Sequence, residues 1–294
     1  MSTYKAVVVA NLGSDDVGVR ELTMLRPSEG QLLVEVHAAG LSFPDLLIMQ
    51  GKHMIRMKPP YVPGSEVCGR VVAAGSSTGY LKGDWVFGST KTGGLAEFCL
   101  MEVEDTYLLP RGVAPVAAAG FELNYGTAFH GLSDLADLQA DDILLVLGAS
   151  GGVGLAAVGI GKMRGARVVA CASSEAKRRA CQAAGADMVL DYGRDGVGFR
   201  ETLSEAGIYG AVDVVFDPVG GQWSETSLRA LGWGGRFVTV GFAAGGVNPK
   251  AVCVCVCVCF LFLFRSPGIY YGLCTVLYFL FIALPTPQPN LFYE

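Results

Sequence analysis

A cationic excess is what this chain lacks. Its 294 residues carry 22 Lys and Arg against 27 Asp and Glu, a net charge of −5, so there is no electrostatic footprint for DNA, for other nucleic acid or for an anionic membrane surface. Histidine is scarce, with His37, His53 and His130 the full set. Thiols at metal-binding spacing are missing as well. Nine cysteines are present, but Cys253, Cys255, Cys257, Cys259 and Cys274 fall in the last 42 residues, and Cys68, Cys99, Cys171 and Cys181 are scattered with no C-x-x-C spacing. That is a reduced, intracellular distribution without a metal site. The start, Met1-Ser-Thr-Tyr-Lys5, runs straight into a strand pattern and shows neither a signal h-region nor an Arg-rich amphipathic leader. A cytoplasmic location is expected, with mitochondrial as the alternative.

Glycine is abundant, with 40 residues, and its most informative use is in Ile143-Leu-Leu-Val-Leu-Gly-Ala-Ser-Gly-Gly-Val-Gly154. Ile143 to Leu147 is a continuous apolar run suited to a parallel strand buried on both faces. It passes into Gly148, Gly151 and Gly154 and then into a small-residue helical pattern. Strand, glycine turn and helix start together make an anion site: Gly148 for the tight turn, Gly151 for backbone approach to a pyrophosphate, Gly154 for close packing of helix on strand. The spacing is G-x-x-G-x-x-G rather than G-x-G-x-x-G, and a glycine turn that binds nothing is the competing reading. The second strand, Arg167–Ala172, ends beside the adenosine ribose in a unit of this kind. An NAD site wants a carboxylate there; this chain has Ala172-Ser-Ser-Glu-Ala-Lys177-Arg-Arg179 instead. Two hydroxyls and a lysine suit a 2′-phosphate, which makes NADPH the expected cofactor. A helix N-cap at Ser173 or Ser174 followed by a solvated basic turn is the plain alternative, and the two are compatible.

Around that stretch the chain divides in three. Residues 1–122 read as an all-β domain, with strands at Tyr4–Val9, Val17–Leu22, Leu32–Ala38, Val67–Ala73, Asp84–Phe87 and Ala96–Leu100, arranged as a partly open barrel. A helical turn is expected at Ser42–Gly51, started by Ser42 with Pro44 in its first turn, and helical patterns at Ala114–Ala119, Tyr125–Leu132 and Leu135–Leu138. Residues 123–250 alternate strand and helix: strands 143–147, 167–172, 188–190, 212–216 and 236–240, helices 153–164, 175–184, 195–206 and 222–231. The fold class is therefore α/β, with a doubly wound parallel sheet. Asp217-Pro-Val-Gly-Gly221 and Gly241-Phe-Ala-Ala-Gly245 follow the fourth and fifth strands, where a ligand sits.

Pro63-Gly-Ser-Glu-Val-Cys-Gly69, Tyr125-Gly-Thr-Ala-Phe-His-Gly131, the 146–154 turn, Ala172–Lys177 and Asp213–Gly221 stand in the order found in medium-chain dehydrogenases/reductases. From about residue 3 to Lys250 the chain resembles the zinc-free quinone oxidoreductases of the zeta-crystallin type. The resemblance implies a GroES-like barrel, a Rossmann domain truncated after its fifth strand, NADPH, and hydride transfer to a quinone or an α,β-unsaturated carbonyl. Expected cofactor contacts are Gly148, Ser150, Gly151, Gly152, Val153 and Gly154 on the turn, Ser173, Ser174, Lys177 and Tyr192 toward the adenosine end, Pro218, Val219, Gly241 and Phe242 in the later loops, and Thr127. No metal is expected. Zinc-dependent relatives carry a ligand Cys where Ser42 stands and Gly-His-Glu where this chain has Gly64-Ser65-Glu66, and a serine hydroxyl is a poor zinc ligand. Related enoyl reductases and quinone oxidoreductases place a tyrosine where His53 stands, so His53 is the candidate proton donor. Ser42 and Asp45 occupy cleft positions, with Asp45 either capping the turn or touching substrate. His37 and His130 are read as structural.

After Lys250 comes Val-Cys repetition, as a (GT)n tract read in frame gives, and then Phe-Leu repetition, as a pyrimidine tract gives. Residues 251–294 are read as translated intron or a mis-predicted gene end. The alternatives are an apolar strand at Val252–Phe264 and a tail anchor at Ile269–Leu284, 16 residues against the roughly 20 a spanning helix needs; a membrane partner is not expected. The family implies a homodimer through a sixth strand that this sequence does not continue into. Two function classes stay open: an NADPH-dependent oxidoreductase, or a non-catalytic NADPH-binding protein, structural or RNA-binding as some zeta-crystallin relatives are.

Overall fold

The computed structural model describes residues 2–13, 16–193 and 198–244. The strand and anchor readings for 251–294, and the first three residues of the 195–206 helix, lie outside the described residues. The chain forms two compact units, Met1–Leu123 and a second beginning at Asn124.

In the first unit, period-two alternation of branched and polar residues produces seven strands: β1 (Thr3–Val9), β2 (Val17–Thr23), β3 (Gln31–Gly40), β4 (Glu66–Ala74), β5 (Trp85–Ser89), β6 (Phe98–Glu102) and β7 (Thr106–Leu108). β1 and β2 pair antiparallel, and the other five form an antiparallel sheet in the order β6-β3-β4-β5-β7. Isolated bridges Ala6↔Ala96 and Val9↔Tyr61 tie β1 to the loops around this sheet, giving the GroES-like barrel. Leu32, Val34, Val67, Val71, Val86, Cys99 and Met101 fill its inside. β7 was not expected, because three residues are too few to show a period. Two short helices complete the unit, α1 (Phe43–Met49) and α2 (Pro115–Ala118), each with proline in its first turn.

The second unit is a parallel sheet. α3 (Glu122–Phe129) leads into it and continues as a π-type turn, His130–Leu135. The helical pattern expected at Leu135–Leu138 is not realised: Asp137 takes a left-handed φ of 46°, which stops the helix and lets Leu138 fold back into the core. There follow β8 (Ile143–Val146), α4 (Gly152–Met163), β9 (Arg167–Cys171), α5 (Glu175–Ala183), β10 (Met188–Leu190), α6 (Phe199–Glu205), β11 (Val212–Asp217), α7 (Gln222–Arg229) and β12 (Leu231–Thr239). The strand order is β10-β9-β8-β11-β12, all parallel. Successive residues feed opposite faces. Leu144, Val146, Val168, Ala170, Val214 and Phe216 join Ala156, Ala157 and Ile160 of α4 in one core. Leu145, Val169, Cys171 and Val215 join Phe199 and Leu203 of α6 in the other. Helices on both faces make the unit doubly wound, and the order reverses between β8 and β11, where ligands bind in sheets of this class.

Cys68, Cys99, Cys171 and Cys181 are all free and buried. Burial pushes the Cys68 thiol up to about 11 and Cys99 up to about 12; Cys171 and Cys181 are raised by the same cause. Glu66, at the start of β4, is buried and its Oε1 accepts from the Leu123 amide (2.8 Å). Burial pushes its carboxyl up to about 7; the bond from Leu123 opposes this, and the neighbouring charges of Glu122 and Asp45 add to it.

Two outcomes are expected. Phe216 is fully buried with Gly131 against its ring, so Phe216→Ala should cost about 3–5 kcal/mol, read as a lower denaturant midpoint. Glu66 binds its proton more tightly folded than unfolded, so its contribution to stability is complete below about pH 4.5 and is lost as the pH rises toward about 7. Glu66→Gln keeps an Oε1 acceptor and removes the charge. It should therefore gain on the wild type by about 1–3 kcal/mol between pH 5 and pH 8 in parallel denaturation curves, and an unchanged difference would contradict this.

Candidate functional site

The strongest site lies at the carboxyl ends of the parallel strands. β8 runs into Leu147 and then Gly148, whose φ is 53°; a Cβ there would stand 2.7 Å from the Val219 side chain. Only glycine turns the chain at this point and leaves Val219 in place. The Gly151 amide closes the turn onto the Gly148 carbonyl (3.0 Å), and the first intrahelical bond of α4 runs from Leu155 to Gly151 (2.8 Å). The amides of Gly152, Val153 and Gly154 precede that bond, and Gly151 supplies no side-chain cap. They stand at the helix N-terminus, ahead of the intrahelical ladder, and Gly151 and Gly152 are exposed. Gly154 holds α4 against the strand end, since its Cβ would meet the Gly148 carbonyl oxygen at 2.5 Å and Ala149 Cα at 2.7 Å. A pyrophosphate fits a cradle of this build, with the helix-start amides and partial positive charge behind it; the Asn124 side chain stands beside Gly152, its amide within 3.0 Å of where a Cβ there would lie.

The loops after β11 and β12 close the other side. Ala244 donates to the Val219 carbonyl (2.9 Å), and a Cβ on Gly220 would lie 2.9 Å from the Phe242 ring. Pro218, Val219, Gly241 and Phe242 are thus gathered beside Gly148. Thr127 is buried on α3. At the far side, Ser174 is the N-cap of α5, accepting from the Lys177 amide (3.4 Å). Lys177 is exposed, and Glu175 is paired with Arg179. The tip of β9 therefore carries hydroxyls and cations, with its nearest following carboxylate already matched. Tyr192 is built into the core, its ring edge-on to Trp223 and Phe199 and its carbonyl accepting from Trp223 Nε1 (3.1 Å).

Two residues at this end escape notice in the sequence. Arg178 Nη1 reaches Asp191 (2.6 Å) and the Ala172 carbonyl (3.4 Å), a link across β9 and β10 that only the sheet order reveals. Asp217, at the tip of β11, is fully buried; the Asp-x-x-Gly turn signal was there to find it.

In the first unit, Ser42 and Asp45 come together as a capping box. The Ser42 amide (2.8 Å) and hydroxyl (2.6 Å) both donate to Asp45 Oδ2, and the Asp45 amide returns a bond to the Ser42 hydroxyl (3.4 Å). The capping reading of Asp45 is thus realised. Asp45 also borders a cavity of about 10 Å³ with Ile48, Met57, Tyr61 and Thr92, a space that takes a single water and not a ring. His53 follows α1 beyond Gly51; its Nδ1 accepts from the Ile55 amide (3.1 Å), and burial lowers its pKa. Among the described residues no group of three or more His, Cys, Asp or Glu stands together as a metal would require, and no helix is long and apolar enough to cross a membrane.

Comparison with known proteins adds the family. The alcohol dehydrogenase GroES-like domain matches residues 28–125 and the zinc-binding dehydrogenase family matches residues 152–259. A quinone oxidoreductase-like protein 2 homolog from Nematostella vectensis is 33% identical over 246 residues, covering 83% of this chain and 67% of that protein. The quinone oxidoreductase of Thermus thermophilus, solved alone and with NADPH, is 28% identical with a TM-score of 0.74, over 94% of this chain and 86% of that one. The CurK enoyl reductase is 26% identical with a TM-score of 0.79, over 97% and 91%. Since the identity runs through both units, and serines stand where zinc-dependent relatives carry ligands, the chain belongs to the medium-chain dehydrogenase/reductase family, among its zinc-free quinone oxidoreductase-like members.

Proposed function

We propose that the chain is an NADPH-dependent, zinc-independent oxidoreductase that reduces quinones or α,β-unsaturated carbonyls. The observation that carries this reading is the tip of β9. A cradle for pyrophosphate, where the strand order reverses, is followed at the tip of β9 by Ser173, Ser174 and Lys177, and the Asp191 carboxylate nearby is already paired with Arg178. A dianionic 2′-phosphate gains charge-assisted bonds from such a set, and a bare ribose gains nothing from it. The Thermus enzyme's complex with NADPH and the enoyl reductase support the cofactor and the acceptor class.

Reduced nicotinamide, when bound, supplies the hydride. The turn amides of Gly152, Val153 and Gly154 bind the diphosphate, and Val219 and Phe242 shape the far end of the crevice. His53 is neutral at pH 7, because burial lowers its pKa. With Nδ1 accepting from Ile55, its proton sits on Nε2, and the neutral ring would polarise the acceptor oxygen through a hydrogen bond from that N–H, the proton that completes the reduction coming from water. Ser42 and Asp45 fix the start of the helix that leads to His53 and do not themselves move a proton.

Steady-state oxidation of NADPH with 9,10-phenanthrenequinone tests the reading. Turnover is expected, and tight NADPH binding with no turnover would favour the non-catalytic alternative. Lys177→Ala should weaken NADPH by about 1.5–3 kcal/mol, the scale of a hydrogen bond to a charged group, and leave NADH nearly unchanged; equal loss for both would remove Lys177 from the 2′-phosphate. His53→Ala should lower kcat about 10²-fold with NADPH affinity intact, and a wild-type rate would take His53 out of the chemistry.

A further inference from the structure

A carboxylate with no solvent needs a reason to be where it is, and Asp217 has none in the core around it. It is fully buried as the last residue of β11. Its Oδ1 accepts from the amides of Val219 (2.8 Å) and Gly220 (2.9 Å), and its Oδ2 accepts from the Ser224 hydroxyl on α7 (2.6 Å). Its own carbonyl accepts from Val240 (2.8 Å), at the end of the neighbouring strand. The loop held this way is the one whose Val219 side chain abuts Gly148 and whose Gly220 abuts Phe242, and it in turn holds Ala244. One carboxylate therefore fixes the exit of β11, the start of α7 and, through the loop, the segment after β12.

An apolar residue in this position would leave two amides and a hydroxyl without acceptors, with Gly220 and Ser224 buried and Val219 half-buried, which is costly for each enclosed group. Burying a charge is also costly unless donors surround it, and here they come from the loop itself. Burial raises the Asp217 pKa while all three donors pull it down.

We infer that Asp217 is the positioning residue for the nicotinamide half of the cofactor site: its hydrogen bonds hold the Pro218–Gly221 loop against Gly148 in the shape that half requires, and it takes no part in proton transfer. The inference rests on the dinucleotide reading of the crevice. It separates the two ends of the site, since the adenosine end is built by β9 and α5 and shares none of these bonds.

The test measures NADPH and 2′,5′-ADP binding to the full chain by titration calorimetry. 2′,5′-ADP carries the 2′-phosphate and adenosine but no nicotinamide. Asp217→Ala should weaken NADPH by about ten-fold or more, the loss expected for bonds to a charged group, and change 2′,5′-ADP less than about two-fold. Asp217→Asn keeps Oδ1 for both amides and offers Nδ2 to the Ser224 oxygen, so it should bind both ligands within about three-fold of the wild type. Ser224→Ala, a milder change, should show the same one-sided loss on a smaller scale, and it carries the comparison if Asp217→Ala does not fold. Equal losses for the two ligands in Asp217→Ala or Ser224→Ala would make the residue general scaffolding and overturn the inference. So would wild-type NADPH affinity in Asp217→Ala, or an Asp217→Asn as weak as Asp217→Ala. A wild-type chain that binds neither ligand overturns the dinucleotide reading itself, and this inference with it.

Discussion

A helix can lie this close to a strand only where the helix gives up its side chains. At the crossing of α4 with the end of β8, a Cβ on Gly154 would stand within 2.7 Å of backbone. About two turns further along the helix, a Cβ on Gly161 would meet Leu144 at 2.7 Å and Val168 at 2.8 Å. Protein interiors do not yield by a full atomic radius without cost. That proximity aims the first amides of α4 at the space beyond the strand ends, places Ala156, Ala157 and Ile160 in the core, and sets where β9 must return. The rest of the second unit is arranged around that distance.

Two buried carboxylates show how differently the same group is used. Both are pushed up by burial. Asp217 is answered within its own loop by donors a few residues ahead, so its cost and its compensation are local and fold together. Glu66 instead depends on Leu123, 57 residues away, and accumulates repulsion from Glu122 and Asp45. The first arrangement gives a rigid corner. The second leaves a group whose charge state follows ordinary cellular pH.

Most of the parallel sheet was legible in the sequence because buried strands are continuous apolar runs and the glycine turn is a local geometric demand: Ile143–Leu147, Arg167–Ala172 and Val212–Phe216 need no distant partner to be seen. The barrel was legible as strands but not as pairings, since the order β6-β3-β4-β5-β7 depends on contacts between residues far apart in the chain. Leu135–Leu138 shows the limit of periodicity, because apolar spacing there is helical while Asp137 is left-handed. At the site, the tight turn at Gly148 is legible and its packing against Val219 is not, nor is the reach of Arg178 to Asp191, while Ser42 with Asp45 is a cap that the S-x-x-D pattern alone announces.

The thiols carry a consequence of another sort. A thiol attacks only as its thiolate, and Cys68, Cys99, Cys171 and Cys181 are all enclosed and held protonated well above cellular pH. Quinones and enones are soft electrophiles that alkylate accessible sulfur. Among the described residues no cysteine presents a thiolate to electrophiles of this kind.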